Sequence, residues 1–279
     1  MAFELSEDQL KTAENELKKY LPMSQQVYGF LVIRNRVRSD PVRRVLVDRW
    51  PQFRVIMCKP QVEQKSDLFK DTLLFATDAA VLEEILSKSS VFDWSKYFCV
   101  GTSVSHTELF KAVASAKGVP CKRVAKCYLM TLEDVGRLPP VDSSGISVSS
   151  LDESHIGLVS QTWKFGKDDV AVGLIHNMIA NFPSCCVLDA EGKPVSWILT
   201  YASGAIGMLY TLPEHRGKGY AKILVSSLAK RNHALGYPVY SFIEEENAVS
   251  YRLFANLGFT EDPSYREAWF RVNEFQIFQ

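Results

Sequence analysis

The sequence predicts a mixed α/β chain with two domains in line. Its 279 residues are about two domain lengths. Apolar positions switch repeatedly between the strand period of two and the helix period near 3.6. A stretch rich in Pro, Ser and Gly, RLPPVDSSG at 137–145, parts two such periodic regions. The expected domains are therefore 1–140 and 145–279.

The first half opens with a helix over 6–21. Ser6 stands as N-cap with Gln9 three residues on, a capping box, and Leu5 and Leu10 can close a hydrophobic staple around it. A strand over 27–33, a helix near 41–50, and strands over 53–58 and 72–76 follow. A helix over 78–88, a strand over 96–101, a helix over 106–117 and a strand over 122–130 complete this half. It carries no chemical motif.

The second half reads as a strand over 146–149, helices over 152–163 and 168–181, and strands over 184–189, 194–202 and 205–212. Asp189-Ala190-Glu191-Gly192 and Ser203-Gly204 make the turns. A helix over 219–235 is stopped by Gly236, and Ala221, Leu224, Val225 and Leu228 form its buried stripe. A strand over 238–243, a helix over 247–257 stopped by Gly258 and a strand over 265–271 end the chain. An antiparallel meander followed by a strand–helix–strand crossover calls for a mixed sheet.

Composition excludes several classes. Lys+Arg and Asp+Glu both number 32, so no net field steers the chain to nucleic acid or an anionic membrane. The six cysteines, Cys58, Cys99, Cys121, Cys127, Cys185 and Cys186, form no C-x-x-C pair, and the histidines lie far apart, so no metal site is expected. They read as buried thiols of a reducing compartment. The first twenty residues hold five acids and three lysines, unlike a secretory signal or an Arg-rich transit peptide. Residues 194–213 carry no charge over a length that would span a bilayer. Ser203-Gly204 in the middle and prolines at both ends make them a hairpin, so no membrane span is expected.

Chemistry concentrates in TLPEHRGKGYA, 211–221. Thr211 and Leu212 end an uncharged strand, and Arg216, Gly217, Lys218, Gly219, Tyr220 and Ala221 open a helix. Glycines allow a tight loop with converging N–H groups, and the helix N-terminus adds partial positive charge, which together suit a pyrophosphate. A Walker loop needs GxxxxGK[ST], which is absent. A dinucleotide fingerprint needs a third glycine where Lys222 stands, and a βαβ setting where this chain has a hairpin. A plain glycine-rich turn with two solvated bases is the structural alternative.

Arg216, Gly219 and Ala221 complete the R-x-x-G-x-A loop of the acyl-CoA-dependent GNAT N-acyltransferases. SFIEEENAVSYRLFANLGF, 241–259, resembles that family's last strand–helix motif, in which the residue matching Asn247 contacts the CoA arm. Asn247 also serves as an ordinary helix N-cap. WKFG (163–166), NFPSCCVLDAEGKPVSW (181–197) and GYPVYS (236–241) resemble the vertebrate glycine N-acyltransferase family, as do VYGFLVIRN (27–35) and VDRWPQF (47–53). The resemblance spans nearly the whole chain and looks most like the glycine N-acyltransferase-like branch. It implies a GNAT fold over 145–279, a degenerate GNAT-like half before it, acyl-CoA as cosubstrate with no prosthetic group, and a small amine acceptor, glycine favoured. It also implies a mitochondrial location, with the cytoplasm as the alternative given the visible terminus.

Two positions depart from the family pattern. The glutamate that serves as general base just after the hairpin turn is replaced by Ala205, and the tyrosine that protonates the leaving thiolate by Phe254, with Tyr251 one turn earlier. Glu244 at the end of its strand is the candidate base, against a solvated acid at a helix start. His215 reads as a loop residue beside the phosphates, and Cys185 and Cys186 as core thiols. Trp163, Phe165 and Trp197 either line an acyl pocket or fill core. A CoA-binding pseudoenzyme or regulatory module and a protein N-acetyltransferase stand beside the small-molecule acyltransferase as readings of these residues.

Overall fold

The computed structural model describes residues 2–36, 43–60, 71–88, 90–166 and 169–274. Along the chain run β1 (Phe3–Glu4), α1 (Glu7–Lys18), α2 (Gln25–Arg36), β2 (Arg43–Val47), β3 (Val55–Pro60), β4 (Asp71–Ala76), α3 (Ala79–Lys88), β5 (Phe98–Ser103), α4 (Thr107–Ala116) and β6 (Cys121–Thr131). Then come β7 (Ser147–Ser149), α5 (Ile156–Thr162), α6 (Asp169–Asn181), β8 (Ser184–Leu188), β9 (Pro194–Thr200), β10 (Ile206–Thr211), α7 (Tyr220–Ala234), β11 (Tyr240–Glu244), α8 (Ala248–Asn256) and β12 (Thr260–Val272). Among the described residues, those before 129 and after 261 form one compact unit, and 129–261 form the other.

In the first unit the strands pair in the order β1-β2-β3-β4-β5-β12. Only β4 and β5 of these are parallel, Leu73 lying opposite Gly101. The register of β12 on β5 sets Trp269 against Gly101 and Glu267 against Ser103. Val100, Met57, Leu74 and Phe270 pack with Leu82 and Leu86 of α3 and Phe110 of α4 into one core. Phe110 and Phe270 stack with centroids 5.0 Å apart. The predicted capping box stands at α1, where the Ser6 N–H donates to Gln9 Oε1 at 2.9 Å, with Leu5 and Leu10 buried beside it.

Two expected elements are corrected here. Residues 27–33 lie in helix α2 and not in a strand. Val27, Phe30, Leu31, Val32 and Ile33 are all buried, so the run shows neither a helical stripe nor an alternation, and its β-branched residues mimic a strand. The helix expected near 41–50 is strand β2 over Arg43–Val47, and 41–42 lie outside the described residues. Val47 pairs with Phe3 and Val45 with Cys58, so the segment is held on both edges and its valines suit the pleat.

In the second unit β10-β9-β8-β7 form an antiparallel sheet. The uncharged stretch 194–213 is the β9–β10 hairpin, turned by Gly204 at φ +85° with the Tyr201 N–H donating to the Ala205 carbonyl at 2.8 Å. Trp197 and Leu199 pack with Met208 and Tyr210 under Val159 of α5 and Ile175 of α6. On the opposite face Asn232 of α7 donates to Thr200 Oγ1 at 3.1 Å. The sheet is thus covered on both sides, which makes β9 buried along its whole length.

Candidate active site

The site is built around a gap between two parallel strands. Ala205, at the head of β10, and Tyr240, the first residue of β11, form an isolated parallel bridge. Two side-chain bonds clamp this end: Tyr240 Oη donates to the Ser203 carbonyl at 2.5 Å and Ser241 Oγ to the Ile206 carbonyl at 2.8 Å. Beyond the clamp β10 pairs with β9, β11 belongs to the other sheet, and the two strands share no ladder.

A bulge sits where they part. Gly207 lies opposite Leu199 and Tyr210 opposite Trp197, so Met208 and Leu209 face the single residue Ile198. Met208 takes φ +52°, rare for a residue with a β-carbon. A bulge takes backbone N–H groups out of the ladder and re-aims them. Gly207 is constrained beside it, since a β-carbon there would lie 2.8 Å from Tyr201 Cε2.

The glycine-rich loop follows. Pro213–His215 form a 3-10 turn, and Gly219 is the N-cap of α7 at φ +78° with no side-chain cap bond. The first N–H groups of a helix have no intrahelical partner, so this end offers uncapped donors and the positive pole of the helix. Gly217 is also left-handed, at φ +77°, and a β-carbon on either glycine would meet nothing within 4 Å. Glycine is therefore needed for the backbone turn, and the space above it stays open. Arg216, Gly217, Lys218 and Gly219 are exposed, Tyr220 and Ala221 half-buried at the helix start. Thr211 and Leu212 tie the loop back to β9: Thr211 Oγ1 and Ser196 Oγ lie 2.7 Å apart, and the Leu212 N–H donates to the Val195 carbonyl at 2.9 Å.

Asn247 caps α8, its Oδ1 accepting the Ser250 N–H at 3.1 Å, and its own N–H donates to the Glu244 carbonyl at 2.9 Å. Glu244 ends β11, and Lys164 Nζ reaches its two carboxylate oxygens at 3.0 and 2.9 Å. The lysine side chain is 64% exposed and the glutamate 26%. Exposed pairs of this kind contribute about 0–1 kcal/mol, so little free energy holds the pair closed.

The remaining residues sort by burial. Phe254 is 2% exposed and meets Phe259 edge-on at 4.9 Å, a core contact. Tyr251 Oη donates to Glu261 Oε2 at 2.6 Å. Cys185 and Cys186 are buried, and burial pushes both thiols up, Cys186 to about 11, so neither is a ready thiolate. Trp197 is fully buried and stacks on Tyr210, whereas Trp163 and Phe165 meet edge-on in the turn after α5. His215 is half-buried in the loop. The six cysteines form no disulfide, and the described residues contain no cluster of metal-ligating side chains and no helix long and apolar enough to cross a membrane.

Sequence reasoning missed Lys164 and Met208. The first lies within the WKFG segment, but its ion pair joins residues 80 apart in the chain. The second has no local signal, because a methionine does not announce a left-handed backbone.

A parallel strand pair splayed beyond one bridge, a bulge beside the gap and a glycine loop opening a helix define the GNAT class of acyl-CoA-dependent N-acyltransferases. Solved structures agree at the level of fold. A Drosophila protein superposes with a TM-score of 0.79 over 97% of this chain and 98% of its own, at 16% identity. A tandem GNAT protein from the clavulanic acid biosynthesis pathway superposes at 0.54 over 100% and 99%, at 13% identity. Residues 1–183 match the aralkyl acyl-CoA:amino acid N-acyltransferase family, and 185–272 match its C-terminal region. The chain belongs to that family, and its class of reaction is acyl transfer from acyl-CoA to an amino acid. The chain is 31% identical to glycine N-acyltransferase of Rattus norvegicus, over 94% of this chain and 96% of the relative. It is 28% identical to glycine N-phenylacetyltransferase of Bos taurus, over 93% and 95%.

Proposed function

We propose that the protein transfers the acyl group of an acyl-CoA to the amine of glycine, in the mitochondrion, using the GNAT domain at 145–279. The observation that supports this most directly is the bulge at Met208 beside the gap between β10 and β11. A thioester carbonyl lying in that gap would meet backbone N–H groups, which stabilise the oxyanion that forms on attack. The CoA pyrophosphate suits the uncapped start of α7 with Arg216 and Lys218 beside it, and Asn247 stands at the next helix start for the arm.

Glycine arrives as an ammonium and must lose a proton before its nitrogen can attack. We assign Glu244 as the base, acting directly or through one water. The nitrogen lone pair forms the C–N bond to the carbonyl carbon, the C–S bond breaks, and the sulfur keeps that electron pair. Thiols ionise near pH 8.5, so CoA leaves as a tolerable thiolate without a dedicated acid. Of the two protons shed by the ammonium, one ends on the CoA sulfur and the other in solvent. Phe254 and the Glu261-bonded Tyr251 fit this acid-free departure.

The test is free-thiol release with a panel of acyl-CoAs against amino acids, simple amines and lysine peptides, with products weighed by mass spectrometry. Glycine-dependent release matched by N-acylglycine is expected. CoA binding without amine-dependent release would make the chain a pseudoenzyme, and preferred acylation of lysine peptides would make it a protein acyltransferase.

A further inference from the structure

The geometry points to the Lys164–Glu244 pair as the binding site for the acceptor's zwitterion, with Lys164 taking the α-carboxylate and Glu244 the ammonium. This rests on the acyl-transfer reading above and adds the reason an amino acid, and not any amine, would be chosen.

Lys164 is held at this place by a closed turn. Its neighbour Gly166 approaches the preceding helix so tightly that a β-carbon there would lie 1.9 Å from the Ser160 carbonyl oxygen. Ser160 Oγ donates to the Gly166 carbonyl at 2.6 Å, and the Gly166 N–H donates to the Trp163 carbonyl at 2.9 Å. Trp163 packs against the cluster of Val159, Trp197 and Leu199, on which Met208 and Tyr210 of β10 also pack. Lys164, next to it, lies 5.2 Å from the Phe165 ring centroid and reaches Glu244 of β11. The turn therefore packs on the same core as β10, and its cation is paired with the last residue of β11.

The pair matches an amino acid by charge. A glycine entering between the two side chains exchanges one exposed ion pair for two: its carboxylate to the lysine ammonium, its ammonium to the glutamate. The pair is mutually neutralised before the substrate arrives, so neither charge is left uncompensated in the free protein. Once seated, the ammonium lies against the group assigned to take its proton, and the carboxylate fixes which way the nitrogen points. A neutral carboxamide or a bare alkylamine satisfies only the glutamate.

The experiment compares glycine with glycinamide and methylamine in wild type, Lys164→Met and Lys164→Arg, with one saturating acyl-CoA. Wild type should favour glycine. Lys164→Met should raise KM for glycine by about ten- to a hundredfold, the loss expected for one charged hydrogen bond, and leave glycinamide little changed. The glycine preference should therefore collapse, KM for acyl-CoA should stay put, and Lys164→Arg should restore much of the preference. A Lys164→Met protein that keeps the full preference, or one whose defect lies in acyl-CoA affinity, would overturn the subsite while the acyl transfer stands. Wild-type protein that releases no thiol with any amine would remove the reaction itself, and the subsite with it.

Discussion

Arg216 lies over Tyr210, its guanidinium carbon 5.6 Å from the ring centroid, while its Nε donates to the Thr211 carbonyl at 3.0 Å. The side chain of the glycine loop is thus docked on the strand that leads into it. The carbonyl takes the Nε–H, one of the five donors of the guanidinium. A docked arginine loses less rotamer freedom when an anion binds than a free one would.

Arg216→Ala should weaken CoA binding by about ten- to a hundredfold, the loss of one charge-assisted contact. Gly219→Glu should be worse. It places a residue with a β-carbon at φ +78°, at a strain of about 1–2 kcal/mol, and adds negative charge where phosphates approach. Titration calorimetry of both variants, after thermal unfolding shows that they fold, checks this. Unchanged affinity in a folded Gly219→Glu protein would move the phosphate site elsewhere.

Glu244→Gln should lower the rate near neutral pH by about 10²–10⁴, the usual contribution of a positioned base. Its remaining kcat/KM for glycine should climb with pH as the neutral amine grows, while wild type levels off earlier. A Glu244→Gln enzyme with the wild-type pH–rate profile would remove the glutamate from the mechanism. Restoring the family's glutamate by Ala205→Glu is not expected to help. Ala205 is 4% exposed, so a carboxylate there loses its hydration and destabilises the hairpin.

Gly207→Ala tests the bulge. Its methyl group would approach Tyr201 Cε2 at 2.8 Å, so either the ring or the strand must shift. A displacement of reacting groups by a fraction of an ångström to one ångström costs about ten- to a hundredfold in rate. The expected outcome is a fall in kcat with CoA affinity preserved, read from steady-state kinetics beside calorimetry. Full activity would separate the bulge from catalysis.

Glu267 makes stability depend on pH. Burial raises its carboxyl to about 8, against a hydrogen bond from Tyr265 that acts the other way, and its Oε1 has no partner. The unfolded chain ionises this group near 4.5 while the folded chain keeps it protonated. Stability should therefore fall as pH rises between those values, by up to about 1.4 kcal/mol per pH unit, and level off above them. Glu267→Gln keeps a neutral side chain of the same shape and removes this titration. Urea unfolding at pH 5 and pH 8 should show wild type losing stability relative to the variant; parallel changes in the two proteins would show that Glu267 ionises within the fold.

The sequence by itself determined most of the second half. Its strands are bounded by the turns at Gly192 and Gly204 and its last two helices are stopped by Gly236 and Gly258, so turn chemistry and helix periodicity carry the information locally. The glycine loop was legible for the same reason, because Gly217 and Gly219 stand where only a left-handed turn can open α7. Helix α2 was not legible, since burial on all sides erases the stripe that distinguishes a helix from a strand. Three further features belong to the tertiary structure alone. The seating of β12 on β5, the bulge at Met208 and the meeting of Lys164 with Glu244 each join residues distant in the chain or depend on a neighbouring strand. Such contacts form only when folding has offset the loop entropy of bringing them together, and no local pattern of residue types encodes that outcome.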